Sequence, residues 1–155
     1  MDVAPERSRA GRWIWLFPAA TAVHVAEEAL LGATFPAWIS RVAGVDLSMP
    51  EFLAMNAAAL AAVAVGAALA RRPGGAWAEA ALGTAVLANA LFHAAGSAAT
   101  ASLSPGLVTS ALLWLPLGAA AVAGSARRAR RRELVLGVLA GLAAHGVVLL
   151  SLVFA

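Results

Sequence analysis

Between Pro50 and Ala70 the chain reads PEFLAMNAAALAAVAVGAALA, with Glu51 at its edge and Asn56 as the only other strongly polar side chain. A helix needs about 20 apolar residues to cross a hydrocarbon core, and this run is that long. A soluble helix of this length would show a polar face at the 3.6-residue period, and none is visible here. The stretch therefore reads as a transmembrane helix.

Four further stretches fit the same ruler. The sequence predicts an all-α, five-span membrane bundle as a single domain over 1–155, with spans near 13–33, 50–70, 76–99, 105–124 and 134–154. Ala and Leu dominate throughout, and lipid does not tolerate open sheet edges, so strands are not expected. Composition agrees: 62% of residues are hydrophobic and 12% charged. Ala and Gly recur in every span and let helices approach closely. The sequence leaves a homo-oligomer open.

Punctuation supports these limits. Ser48-Met49-Pro50-Glu51 is a helix start, with Ser48 as cap and Glu51 closing a capping box. Ser104-Pro105 is read as starting the fourth helix in the same way, and Arg71-Arg72-Pro73-Gly74-Gly75 as the turn after the second. The segment from Thr34 to Leu47 is too short and polar to span. It is expected to be an outer loop or a short helix on the membrane, anchored by Trp38.

All eleven basic residues are arginines, and they lie between apolar stretches, so nucleic acid is not the expected partner. Arg7, Arg9 and Arg12 precede span one, Arg71 and Arg72 follow span two, and Arg127, Arg128 and Arg130 to Arg132 follow span four. Only Arg41 falls on the opposite side. The positive-inside rule then places the N-terminus in the cytoplasm and the C-terminus outside, in the cell (inner) membrane. Trp13, Trp15 and Trp77 fall at the inner interface, and Glu79 is expected to be solvated near it. The first apolar run continues past His24, Glu27 and Glu28, unlike a secretory signal, so it is read as retained. There is no Cys, which excludes disulfides, thiolate nucleophiles and Cys metal sites.

The three histidines, His24, His93 and His145, all lie inside predicted spans, together with Glu27 and Glu28. A lone histidine in such a place ordinarily ties helices together. Three ionisable groups within two helical turns are costly in hydrocarbon and point to function instead. Glu27 and Glu28 follow His24 by three and four residues, and Asn89 precedes His93 by four, so each group shares a face. At about 1.5 Å per residue, His24 lies ~16 Å from the cytoplasmic end of its span, Glu28 ~22 Å, Asn89 ~20 Å, His93 ~25 Å and His145 ~17 Å. From the outer side, Asn56 is ~9 Å deep and Thr109 ~6 Å. Several helices thus bring polar groups to one layer, and Trp114 falls near mid-membrane where it can line a pocket.

Two chemistries suit that layer. His24, Glu28 and His93 could bind one divalent ion (zinc, iron or manganese). Alternatively Glu27 or Glu28, with His24 and Asn89, could perform acid–base catalysis. Carboxylates are too few for a four-Glu di-iron site. The leading expectation is an enzyme acting on an apolar, isoprenoid- or lipid-like substrate. The alternatives are a proton-coupled or metal-ion transporter and a haem or quinone redox protein. The cytoplasmic halves of the spans are nearly all Ala, Val, Leu and Gly, which disfavours a polar route through both leaflets.

His24-Val25-Ala26-Glu27-Glu28 in span one and Asn89-Ala90-Leu91-Phe92-His93 in span three resemble the HXXEE-domain family of small prokaryotic integral membrane proteins. Pro105-Gly106-Leu107-Val108-Thr109 is similar to that family as well. The resemblance implies a helical membrane fold and a site at His24, Glu27, Glu28, Asn89 and His93, but no agreed activity. A looser likeness, of fold only, is to five-helix sterol isomerases of the emopamil-binding type.

Overall fold

The computed structural model describes residues 10–153, and every regular element among them is helical. Arg7, Arg9 and the last two residues, Phe154 and Ala155, lie outside the described residues, as does any test of the terminal topology that rests on them. Helix α1 (Leu16–Leu30) is preceded by a 3-10 turn, Arg12–Trp15. Then follow α2 (Phe35–Ala43), α3 (Met49–Ala70), α4 (Ala76–Thr100), α5 (Leu107–Arg128) and α6 (Arg131–Val153).

Four helices, α3 to α6, are each long and apolar enough to cross a membrane. The first span differs from expectation. It stops at Leu30, because Gly32 takes a left-handed backbone with φ 68°, and α2 leaves at 67° to the segment Arg12–Leu30. A fifth crossing exists only if that bent pair is counted as one span.

The capping box forms as expected: Ser48 Oγ accepts from Glu51 N–H, and a Glu51 carboxylate oxygen accepts from Ser48 N–H at 2.9 Å. The loop between α5 and α6 is only Ala129–Arg130. Arg127 and Arg128 close the last turn of α5, where cations favour the helix dipole.

Helix α4 is the centre of the molecule, packed along α6 on one side and α5 on another, with α3 and α1 completing the ring. Backbones come close because side chains are missing at the crossings. A Cβ on Gly83 would stand 2.8 Å from the Gly118 carbonyl oxygen, and one on Gly118 2.9 Å from that of Gly83. The lipid-ward surface is correspondingly greasy, with Leu53, Val65, Leu136, Leu139 and Leu150 exposed.

Two expectations are overturned here. Trp38 does not anchor α2 in lipid: its ring is buried against Gly96 and Phe35, and its indole N–H donates to Ser102 Oγ at 3.2 Å. The amphipathic α2 turns its aromatic face to the bundle, because Phe35, Trp38 and Phe52 gain more from one another than from the headgroup layer. Glu79 is not solvated either. It is fully buried and ion-paired with Arg128 of α5, which reaches back one turn along the helix end. Trp15 and Trp77 are exposed as expected of interfacial rings, whereas Trp13 is half-buried beside Phe17.

Candidate metal centre in the bundle

His24 and Glu28 face the same way, one turn apart on α1, and His93 reaches them from α4. A Glu28 carboxylate oxygen lies 3.6 Å from His24 Nε2 and 3.5 Å from His93 Nε2. All three donor atoms fall within 4.8 Å of one another. The site is shut off from solvent: His24 and His93 are each 1% exposed and Glu28 5%.

The other nitrogen of each ring meets a hydroxyl. His24 Nδ1 meets Thr109 Oγ1 at 2.8 Å, and His93 Nδ1 meets Ser104 Oγ at 2.9 Å. Each hydroxyl also lies 3.3 Å from a backbone carbonyl, Thr109 from that of Gly106 and Ser104 from that of Pro105. Donor and acceptor within each imidazole–hydroxyl pair follow the tautomer. The two Nε2 atoms and a Glu28 carboxylate oxygen share one space, and the Asn89 amide lies 3.4 Å from His24 Nε2.

Three such groups facing one another in a buried space are satisfied by a proton shared among them or by a metal ion. The group His24, Glu28 and His93 could hold a metal ion. Two imidazoles and one carboxylate, each imidazole held through its other nitrogen, are a donor set suited to a divalent metal ion.

The loop before α5 builds the floor. Gly106 has φ 89°, and a Cβ there would stand 2.6 Å from His24 Cε1, 2.9 Å from His93 Cε1 and 3.0 Å from Glu28 Cγ. Only glycine fits. Ser97 braces the same loop by accepting from Ser104 N–H at 2.9 Å. Ser104 was read as a helix cap; here its hydroxyl orients His93 instead, and the cap of α5 comes from elsewhere.

That cap is Glu27. Its two carboxylate oxygens accept the backbone N–H groups of Val108 at 3.1 Å and Thr109 at 2.7 Å. Glu27 was read as a catalytic residue beside Glu28. Its oxygens are instead spent on a helix N-terminus, a favourable place for an anion. Trp114 does line the site, its ring stacked on His24 with centroids 3.8 Å apart.

Two expected pocket residues lie outside the cluster. Asn56 donates to the Phe52 carbonyl of its own helix at 3.0 Å. His145 is half-buried one ring away, edge-on to Phe92 with centroids 6.3 Å apart, and Phe92 is in turn edge-on to His93 at 5.6 Å; no hydrogen bond among the described residues joins His145 to the centre. The depth ruler placed them in the layer but could not give the rotation of α3 and α6. Ser104, read only as helix punctuation, Gly106, read only within the family resemblance, and Phe35, whose ring lies 6.0 Å from His93 and which was not singled out, are further neighbours of the centre. The Ser-Pro-Gly sequence before α5 was the local signal for the first two.

No curated protein and no solved structure matches this chain. The family described as "Protein of unknown function with HXXEE motif" matches residues 15–121, the segment that carries His24, Glu28, Asn89, His93 and the Gly106 floor, and the chain belongs to that family.

Proposed function

We propose that this protein is a small multi-pass membrane enzyme that performs metal-assisted chemistry on an apolar, isoprenoid- or lipid-like substrate. The carrying observation is the buried convergence of the His24 and His93 Nε2 atoms and the Glu28 carboxylate, with the Asn89 amide beside them. In this reading His24, Glu28 and His93 bind one zinc, iron or manganese ion. Such an ion supplies Lewis acidity and an activated oxygen nucleophile at neutral pH. Thr109 and Ser104 fix the imidazoles, and Asn89 offers an amide to a developing oxyanion or to substrate. Glu27 positions the loop and touches no reacting atom.

Access is lateral. A groove between α1 and the start of α5, lined by Val23, Leu30 and Val108, reaches Glu27 and Thr109, and Thr109 is bonded to His24. Transport fits less well. On α4 the buried residues between Glu79 and His93 are apolar, Leu82, Val86 and Ala90 among them, so no polar path joins the two charged sites along that helix.

A second reading is favoured by the same three groups. If a proton takes the place of the metal, it sits on Glu28 between the two imidazoles, and the site becomes an acid–base centre. Metal analysis of purified protein separates the two. About one equivalent is expected in the parent, lost in Glu28→Gln and His93→Ala, with the helical fold retained. A metal-free parent that is active would replace the metal reading by the acid–base one.

The orientation proposed is N-terminus in and C-terminus out, in the cytoplasmic membrane, resting on the arginine distribution. Single cysteines placed near Arg41 and Arg128 in this Cys-free chain should be labelled from opposite sides. Labelling from one side sinks the topology.

A further inference from the structure

Around His24, α1 and α5 carry three buried polar atoms without a hydrogen-bond partner: Thr21 Oγ1 on α1, and Ser110 Oγ and Trp114 Nε1 on α5. Their residues are 4%, 1% and 7% exposed. Thr21 lies one turn before His24 on its face. Ser110 and Trp114 bound the π-helical turn Ser110–Trp114, and the Trp114 ring stacks on His24. Wide turns of this kind recur at functional sites.

The missing bonds are not forced by helix geometry. Ser97, Thr100, Ser125 and Ser151 each donate to a carbonyl one turn back, at 2.7 to 2.9 Å. Thr21 and Ser110 have the same option and do not take it. An unmade bond in a buried place carries the full desolvation penalty, so three such atoms on the helices that flank His24 call for a partner. The ligand must accept from the indole N–H and exchange bonds with two hydroxyls. It is uncharged, because the charged groups nearest along α1, Glu27 and Glu28, are acidic and would repel an anion.

On the lipid side of the same two helices runs an apolar groove lined by Leu16, Ala19, Val23, Leu112, Pro116 and Leu117. We propose that Thr21, Ser110 and Trp114 form a subsite for the neutral oxygen-bearing head, hydroxyl or carbonyl, of a membrane-borne chain molecule whose tail lies in this groove. The proposal rests on the enzyme reading above and names its substrate class. It puts the head beside Trp114, whose ring lies on that of His24, with the tail in lipid.

The test uses full-length protein in phosphatidylcholine nanodiscs and reads Trp114 emission as the difference between the parent and Trp114→Phe. The probe is 2-bromododecan-1-ol, with 2-bromododecane as the control that lacks the hydroxyl. The alcohol should quench Trp114 saturably, the hydrocarbon only in proportion to its concentration. Thr21→Val with Ser110→Ala should weaken the alcohol roughly tenfold, as expected for two lost hydrogen bonds, and keep the metal content of the parent. Equal quenching by both probes, or an unchanged affinity in the double variant, overturns the subsite and leaves water as its occupant. Glu28→Gln keeps the two readings apart. Saturable quenching that persists in this metal-free variant upholds the subsite on its own, and quenching that fails while the parent binds metal overturns the subsite alone.

Discussion

Glu27 holds Thr109 by its backbone and thereby aims it at His24: the carboxylate accepts Thr109 N–H at 2.7 Å, and the Thr109 hydroxyl meets His24 Nδ1 at 2.8 Å. Two neighbouring glutamates of one motif thus do different work. Glu28 enters the centre, and Glu27 fastens α5 to α1 so that the centre keeps its shape. The separation follows from helix geometry. At about 100° per residue, the fourth residue after His24 returns to within ~40° of it, whereas the third falls ~60° to the other side.

Glu27→Gln is therefore expected to cost stability rather than chemistry. Its amide oxygen can keep one of the two backbone bonds and loses the charge at the helix N-terminus, a loss of about 1–2 kcal/mol. Thermal unfolding in detergent should show a lowered Tm with stoichiometric metal still bound. An unchanged Tm together with lost metal would make Glu27 a ligand instead.

Gly106→Ala should be the most damaging single methyl in the molecule. The left-handed backbone costs about 1 kcal/mol for a residue with a Cβ, and the overpacking against both imidazoles about 1–3 kcal/mol more. The expected result is loss of metal and a lowered Tm together, measured by metal analysis and thermal melting of the same preparation. Wild-type behaviour would mean that the loop does not press on the centre.

The Glu79–Arg128 pair gives a separate stability test. Glu79 is fully buried while the Arg128 side chain is 28% exposed, so removing the arginine strands the charge and removing the glutamate lets the arginine reach water. Arg128→Met should destabilise by about 3 kcal/mol and Glu79→Gln by less. The double variant should recover part of the loss. Additive losses in the double variant would show that the two residues are not coupled.

The sequence carried the parts of this centre that depend on spacing within one helix. His24 with Glu28, and Asn89 with His93, were legible as four-residue pairs, and their common depth foretold that α1 and α4 would bring them together. What depends on the rotation of one helix about another was not legible. Asn56 satisfied the depth ruler and bonds within its own helix, and His145 comes no nearer than the Phe92 ring beside His93, since a helix can turn any face inward without changing depth. Trp38 read as an interfacial ring because its segment is short and polar, but the aromatic face of α2 found Phe35 and Phe52 to pack on. Glu79 read as solvated from its place in the first turn of α4, and only the approach of α5 shows Arg128 covering it. Ser104 lay in a sequence that spells a helix cap, and a long-range bond to His93 claimed its hydroxyl instead.

X-ray absorption at the edge of the metal that copurifies tests the central claim most directly. The account predicts a first shell of two imidazole nitrogens and carboxylate or water oxygen at about 2.0–2.2 Å, with no sulfur, for zinc. One imidazole should disappear from that shell in His93→Ala. A stoichiometric metal whose shell holds no imidazole, or a shell unchanged by His93→Ala, would contradict it.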